Sequence, residues 1–310
     1  MPSNSPDSTA LPAVDLRCPN VKPYLTIPAN QGPRTTELVQ CTDCGLVVED
    51  SRPPKAEINA FYANEKLWTE SIDAEGKPRS YVNEFNAKRP LFLDLVRRME
   101  TFKNEGYLLD VGAGPGLLES VLDDLYWEYR AIELSPYAVE FGRKQLGIEV
   151  EQGRFEAMDL PHKHFDVVMM KYMLDHTETP FAALQKARTV IADDGILCLA
   201  DLINVDSIAA KIFKDGHRLF HPMHFTYFSP KTITEWLARA GFKVVRIDYP
   251  FLYTPYFNLS DIMTFAGRVV KKSMNLSGSK TDPRVYSTAF YGSMMDVWAV
   301  PAEASGRICR

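Results

Sequence analysis

A glycine-rich stretch has the residue types and spacing of a ligand-binding turn. In LLDVGAGPGLL, residues 108–118, Gly112, Gly114 and Gly116 alternate with other residues after an apolar run. Glycine lets a chain turn tightly and approach a ligand closely, and a helix that starts after such a turn presents free N–H groups. A dinucleotide-binding turn has its third glycine one residue later, as G-x-G-x-x-G. The spacing G-x-G-x-G, with Asp110 on the preceding strand, indicates a different ligand, although a structural turn or another nucleotide fold stays open.

A carboxylate follows at the spacing of a ribose contact. Glu133 ends the next predicted strand, about twenty residues after the turn. A carboxylate in that position can accept hydrogen bonds from both hydroxyls of a ribose. The alternative is that Glu133 is simply a solvated strand end.

Five segments together resemble the motifs of the class I methyltransferases that depend on S-adenosylmethionine (SAM). They are the glycine turn, AIELSPYAVEFGRK at 131–144, QGRFE at 152–156, FDVV at 165–168 and DDG at 193–195, and the resemblance covers roughly residues 107–250. It implies an enzyme with SAM as its cofactor. The cofactor-binding residues that it implies are Asp110, Gly112, Ala113, Gly114, Gly116, Glu133, Leu134, Arg154, Phe155, Lys171 and Tyr172.

One of these positions departs from the family pattern. Many members have an aspartate where this chain has Arg154, next to the adenine of the cofactor. The backbone N–H and the ring of Phe155 are the expected substitutes for that contact.

A loop after the fourth strand of this region supplies the first candidate for a general base. KYMLDHTETP, residues 171–180, resembles the L-E-H-x-x-D-P segment of many small-molecule methyltransferases, and His176 matches its histidine. Imidazole has a pKa suited to accepting a proton near neutral pH. The alternative is that His176 only organises the loop. Asp175 stands where the family often has glutamate.

A second histidine-rich segment, HRLFHPMHFTYFS at 217–229, resembles the family's H-x-x-x-F-S segment. The resemblance makes His224 a second candidate base and places His221, His224 and Tyr227 on the substrate side. The three histidines of the segment could suggest a metal, but no acidic ligands accompany them in the segment. We therefore expect a loop that packs on the pocket and no metal ion.

The residues before the glycine turn include several aromatic side chains. Phe61, Tyr62, Trp68 and Tyr81 lie in a region that reads as mostly helical. In relatives such aromatic residues fold over the cofactor and the substrate, so Tyr62 and Tyr81 are substrate-side candidates. Plain packing of a helical cap is an equal alternative.

Three cysteines near the N-terminus form an incomplete zinc motif. Cys41 and Cys44 make a C-x-x-C pair followed by glycine, whereas the earlier Cys18 has Val21 at its partner position. A structural zinc site normally has four ligands. These cysteines are therefore weak metal candidates, and a degenerate ribbon without metal is the expectation.

The order of predicted elements indicates an α/β fold with a Rossmann-like, seven-stranded, mostly parallel sheet and helices on both faces. The resemblance makes the last strand antiparallel. We divide the chain into a disordered tail (1–17), a small ribbon-like module (18–55), a helical cap (56–106) and the SAM-binding domain (107–310), which has an insert at 250–284.

Composition and charge limit the kinds of partner that we expect for this protein. The net charge is −5, which argues against a nucleic-acid partner. No apolar run is long enough for a membrane span. Five cysteines without a secretory signal predict a cytoplasmic protein, and a homodimer is left open.

The expected reaction is methyl transfer to an oxygen or nitrogen of a small polar acceptor, sugar-derived or a secondary metabolite. The alternatives are a C-methyltransferase acting on a sugar nucleotide, a protein methyltransferase, and a non-catalytic SAM-binding protein.

Overall fold

A seven-stranded sheet forms the centre of the computed structural model. Its strand order is β12-β13-β10-β9-β6-β7-β8. Every neighbouring pair is parallel except those that involve β13, which confirms the expected antiparallel last strand. These strands are β6 Gly106–Val111, β7 Trp127–Glu133, β8 Val150–Gln152, β9 Phe165–Lys171, β10 Ile191–Ile203, β12 Phe242–Asp248 and β13 Met294–Pro301. The described residues are 20–27, 34–50, 52–72, 78–80, 85–217, 219–221, 223–251, 257, 259–275, 287 and 290–302.

Helices cover both faces of this sheet because alternate strand residues point to opposite sides. Leu109 and Val168 pack with helices α5 and α7 on one face, whereas Leu108 and Val167 pack with helix α3 on the other. The helices are α1 Lys55–Ala63, α2 Lys66–Thr69, α3 Phe85–Met99, α4 Pro136–Phe141, α5 Pro180–Val190, α6 Ile208–Phe213, α7 Pro230–Arg239 and α8 Leu259–Asn275.

A second sheet joins the N-terminal ribbon to the methyltransferase region. Its antiparallel strands run in the order β1-β2-β3-β11 and span Val21–Ile27, Thr36–Cys41, Val47–Glu49 and Thr226–Tyr227. The pairs Thr226–Val48 and Tyr227–Val47 attach β11 to the ribbon. The histidine-rich segment is therefore part of the ribbon sheet. A two-stranded hairpin, β4 Ser71–Ile72 and β5 Pro78–Arg79, lies in the cap.

The helix expected directly after the glycine turn does not form over Leu117–Leu125. The structure has only a short 3-10 turn at Glu119–Val121. Local side-chain bonds compete with the helix, because the Ser120 hydroxyl donates to the carbonyl of Leu117 at 2.7 Å and the Asp123 carboxylate accepts the N–H of Leu125 at 3.0 Å.

Several predictions lie outside the described residues, among them the tail, Cys18, Tyr81 and much of the insert. The described part of the insert contains helix α8. Among the helices that the structure describes, none combines the length and the apolar character that crossing a membrane requires.

His217 should make the stability of the fold sensitive to acid. Its side chain is completely buried, its Nδ1 lies 2.8 Å from Ser287 Oγ, and burial lowers its pKa to about 3. The unfolded chain therefore binds a proton near pH 6.5, before the folded chain does. Stability is fully present above that pH and falls by about 1.4 kcal/mol per pH unit as the pH drops toward 3.

A His217→Gln variant should lack this loss. Between about pH 7 and pH 5, the unfolding free energy in urea should fall about 2 kcal/mol further in the wild type than in the variant. Parallel pH curves for the two proteins would show that His217 does not govern the effect.

Candidate functional site

The glycine turn lies at the carboxyl end of β6, in the middle of the sheet. Gly112, Gly114 and Gly116 all have left-handed backbones, with φ of 75°, 59° and 85°. The N–H groups of Gly112 and Ala113 donate to the carbonyl of Ile132 at 2.8 and 3.1 Å. These bonds hold the turn against β7, where the sequence placed the ribose-binding carboxylate.

Side chains close around the turn at each glycine. A Cβ at Gly116 would lie 2.4 Å from Cγ2 of Ile148, and one at Gly112 would lie 3.0 Å from Met173. A Cβ at Gly114 would meet the indole of Trp68 at 3.2 Å. The turn therefore requires glycine for space as well as for backbone conformation.

Glu133 is buried at the end of β7 and faces the turn. Its carboxylate accepts the N–H of Gly114 at 2.9 Å and the N–H of Ser135 at 2.7 Å. Burial raises the pKa of Glu133, against the effect of the N–H groups of Ser135, Gly114 and Leu134. This carboxylate joins the glycine turn to the start of α4.

Asp110 is also buried, on β6 itself. The hydroxyl of Tyr129 donates to its carboxylate at 2.8 Å, and burial raises the pKa of Asp110 to about 7. Its partner in the structure is therefore a neighbouring strand, and its part in cofactor binding stays a prediction.

Arg154 and Phe155 follow β8. The guanidinium of Arg154 donates to Glu178 at 2.6 Å and to Asn59 of α1 at 2.8 Å, so it fastens the cap to the loop after β9. The ring of Phe155 is buried in the core, which rules it out as an exposed adenine contact. The backbone N–H of Phe155 remains the predicted contact.

Lys171 and Tyr172 end β9 at the same edge of the sheet. Lys171 forms an ion pair with Asp201 at the corresponding end of β10. Tyr172 has a left-handed φ of 50°, and its hydroxyl donates to the sulfur of Met294 at 2.9 Å. Both residues lie where open α/β sheets bind ligands.

The structure brings the two candidate bases together. The rings of His176 and His224 lie 3.9 Å apart between centroids. Nδ1 of His224 lies 2.9 Å from the carboxylate of Asp175, and Nδ1 of His176 lies 2.9 Å from the carbonyl of Met223. Carboxylate and carbonyl oxygens only accept, so both Nδ1 atoms carry a proton, and in the neutral ring this arrangement leaves the lone pair on Nε2.

Asp175 gives this cluster its charge. Burial opposes its ionisation, but the adjacent His176 and His224 lower the pKa of Asp175 below its ordinary value. Burial, with repulsion from His176, lowers the pKa of His224 to about 4. Near neutral pH the cluster is therefore a carboxylate beside a neutral His224 imidazole.

The segment 217–229 has no acidic residue, but the structure brings one to His224 from the loop after β9. One donor atom each from Asp175, His176 and His224 lies within 4.8 Å of the others, a grouping that could hold a metal ion. The carboxylate and His224 are already joined by a hydrogen bond, however, which is the arrangement of a carboxylate–imidazole pair. The sequence showed Asp175 at a position where the family often has glutamate, but it gave no sign that this carboxylate meets His224.

Tyr227 does not line the substrate side. Its ring is completely buried among residues of the ribbon, and its hydroxyl donates to the carbonyl of His221 at 3.0 Å. Its ring stacks on that of His224, with 5.9 Å between the ring centroids, and so packs against one side of that histidine. His221 is exposed, with its ring 6.4 Å from that of His224.

The cap aromatics lie beside both parts of the site. The indole N–H of Trp68 donates to Ser135 Oγ at 2.9 Å above the glycine turn. Burial raises the pKa of Tyr62, and the charges of Glu133 and Asp175 raise it further. Tyr62 is thus close to the carboxylates of both the turn and the histidine cluster.

The N-terminal cysteine pair has part of a metal-knuckle geometry. Cys41 is buried and Cys44 is half-buried, and the N–H of Cys44 donates to the sulfur of Cys41 at 3.5 Å. Zinc at this pair stays a weak candidate.

This fold is that of a SAM-dependent methyltransferase. A family model described as a methyltransferase domain matches residues 82–247, more than half of the chain. The chain belongs to that family, is an enzyme, and uses SAM as its cofactor.

Two relatives are named as O-methyltransferases. The ubiquinone biosynthesis O-methyltransferase of Xanthomonas euvesicatoria pv. vesicatoria is 26% identical over 222 residues, which span 66% of this chain and 87% of the relative. The enzyme of that name from Xanthomonas campestris pv. campestris (strain B100) is 24% identical over 221 residues, with the same shares.

A solved structure supports the fold. A chain from the Haloferax volcanii complex of the Trm112 methyltransferase activator with a methyltransferase has a TM-score of 0.54 and 13% identity, over 79% of this chain and 98% of that chain.

The glycine turn and its surroundings fit SAM. The turn lies at the carboxyl end of β6, where open α/β sheets bind ligands, and the buried Glu133 lies directly beside Gly114. The residues that would hold the cofactor are the turn, Glu133 and the ends of β8 and β9. When bound, SAM supplies a methyl group already activated by a positively charged sulfur.

Two alanine variants should separate steric from backbone effects at the turn. Gly116→Ala adds a Cβ against Ile148, whereas Gly147→Ala has a similar φ of 73° and no atom within 4 Å of its Cβ. In both variants the free energy of unfolding should fall by about 1–2 kcal/mol, because alanine is strained in a left-handed backbone. Gly116→Ala should lose a further ~1–3 kcal/mol by overpacking and should bind SAM more weakly.

Urea unfolding and SAM calorimetry on both variants measure these effects. Equal stability and equal SAM affinity in the two variants would contradict the steric interpretation of Gly116.

Proposed function

We propose that this enzyme transfers the methyl group of SAM to a hydroxyl oxygen of a small molecule. The observation that carries the proposal is the carboxylate–imidazole pair of Asp175 and His224, 2.9 Å apart, with the ring of His176 packed against it. A hydroxyl acceptor must lose its proton during methyl transfer, and a positioned imidazole can take it. The names of the relatives support oxygen as the acceptor atom.

The cluster lies next to the cofactor turn. Met173, on the loop that carries the cluster, packs against Gly112, and the N–H of His176 donates to the carbonyl of Met173 at 3.1 Å. Tyr62 is influenced by both Glu133 and Asp175. An acceptor bound in this space would have its hydroxyl close to a free Nε2 lone pair.

In the proposed step the C–O bond forms as the C–S bond breaks, and the sulfur keeps the electron pair. The acceptor proton passes to the Nε2 atom of one of the two paired histidines, His176 or His224. Burial lowers the pKa of His224 to about 4, and the hydrogen bond and the charge of Asp175 oppose that effect. Asp175 thus holds the tautomer of His224 and stabilises its protonated form, as a carboxylate does for a catalytic histidine. In-line displacement mainly requires that the two reactants be positioned, which is the task of the cap and the loops.

The acceptor's chemical class follows from charge and from the relatives. A chain with a net charge of −5 is poorly suited to a polyanionic acceptor. The acceptor we propose is a phenol or another hydroxylated small molecule. The test must distinguish transfer to its oxygen from transfer to nitrogen or to the carbon of a sugar nucleotide.

The test is a screen with methyl-labelled SAM over phenols, sugar alcohols, amines, nucleotide sugars and proteins, with the product's methylated atom identified by NMR. We expect labelled methyl ethers. Label only on nitrogen, on carbon or on protein would overturn the proposal.

Variants of the cluster should slow the reaction with little change in SAM affinity. His176→Ala, His224→Ala and Asp175→Asn should each lower kcat by about 10²-fold or more, since general-base catalysis contributes 10²–10⁴-fold. His162→Ala removes an exposed histidine outside the cluster and should leave kcat unchanged. Activity should also persist in EDTA, because the base requires no metal. Unchanged kcat in both histidine variants would remove the imidazole pair as the base.

A further inference from the structure

Helix α8 presents an apolar stripe that stays open to solvent in the described structure. Leu259, Met263, Val270 and Met274 are 76%, 64%, 58% and 68% exposed. Their spacing of four and seven residues aligns them along one side of the helix. A contiguous exposed stripe of this kind marks an interaction surface.

The opposite side of α8 is already fixed to the domain. Phe265 is buried, stacks on Phe290 with centroids 3.9 Å apart, and contacts Phe213 of α6 at 5.7 Å. Helix α8 is therefore seated with one apolar side inward and a second apolar side outward.

We propose that the outer stripe of α8 binds the same stripe of a second copy of this chain, with the two helices antiparallel about a two-fold axis. Such a contact is isologous, because the same patch is used twice. The proposal does not depend on which acceptor the enzyme methylates.

Small residues at the centre of the stripe suit this pairing. Ala266 and Gly267 lie between Met263 and Val270, and both are exposed. A Cβ at Gly267 would have no heavy atom within 4 Å. Side chains at the contact set the distance between packed helices, so small ones at the crossing point let the axes approach closely.

The antiparallel register then places large side chains around that centre. With the axis between Ala266 and Gly267, Leu259 faces Met274 of the partner subunit and Met263 faces Val270 of the partner subunit. Each small residue lies opposite another small residue, and each large one lies opposite another large one. The stripe is thus complementary to itself.

The charge pattern suits a second copy. The stripe itself has no charged side chain, and the basic residues Arg268, Lys271 and Lys272 lie outside it. An uncharged stripe avoids repulsion between identical subunits. Because basic residues flank the stripe, an anionic lipid surface is the competing occupant, and the vesicle experiment below separates the two.

The size of the contact sets the expected affinity. Four large side chains on each subunit bury less than the ~800 Å² per partner of a standard interface. We therefore expect a reversible dimer with a Kd on the order of micromolar.

Sedimentation velocity of the full chain over a range of concentrations tests the dimer. Gly267→Glu should weaken it at least about tenfold, because two carboxylates would meet at the axis while each protomer has room for the side chain. Thr264→Glu adds the same charge to an exposed position of α8 outside the stripe and should change the Kd less than about threefold. SAM calorimetry on both variants confirms that they are folded.

Cysteine crosslinking tests the register. Gly267→Cys lies beside the axis and should oxidise rapidly to a covalent dimer. Leu259→Cys should not, because its two copies lie about 22 Å apart in an antiparallel pair. Crosslinking of both variants would indicate a parallel pair and overturn the proposed register.

Three results would overturn the dimer itself. The first is a monomer at every concentration, and the second is a dimer that Gly267→Glu leaves intact. The third is a monomer in buffer that binds vesicles of phosphatidylglycerol through this stripe, which would make a lipid surface the occupant.

Discussion

Asp175 is the residue through which the two histidine loops become one site. Its backbone carbonyl accepts the N–H groups of Phe225 and Thr226 at 2.8 and 3.3 Å, while its carboxylate accepts a hydrogen bond from His224 at 2.9 Å. Its neighbour in sequence is His176. A single buried residue thus fixes both the position of one imidazole and the protonated nitrogen of that imidazole.

The N-terminal ribbon supports the same arrangement from the other side. Because β11 pairs with β3, the backbone immediately after His224 is held in a sheet, and the buried ring of Tyr227 packs beneath that histidine. Arg154 and Arg52 then attach the N-terminal residues to Glu178 at the end of the His176 loop. The ribbon and the cap therefore act as walls of the site, whatever the cysteines bind.

Patterns in the sequence predict those strands, helices and turns that are determined by interactions between residues close together in the chain. The strand Phe165–Lys171 and the helix that starts at Pro180 can both be read from the sequence, because each has a continuous apolar pattern and a clear boundary. The glycine turn and Glu133 were also found, since their spacing follows from one strand–turn–helix unit.

Contacts between distant segments could not be predicted in this way. No periodicity in residues 217–229 shows that Thr226 and Tyr227 pair with Val47 and Val48, or that His224 meets Asp175. Tyr227 was misplaced for the same reason: its burial depends on the ribbon, about 180 residues earlier in the chain.

The shared ribbon sheet also constrains the order in which the protein can fold during synthesis. Strands β1 to β3 leave the ribosome early, but their fourth strand, Thr226–Tyr227, emerges only after most of the large sheet has been made. At 5–20 residues per second, the edge of β3 waits on the order of ten to thirty seconds for its partner. An open strand edge of that duration is a site for wrong pairing between chains, so the ribbon needs protection in the nascent protein until β11 arrives.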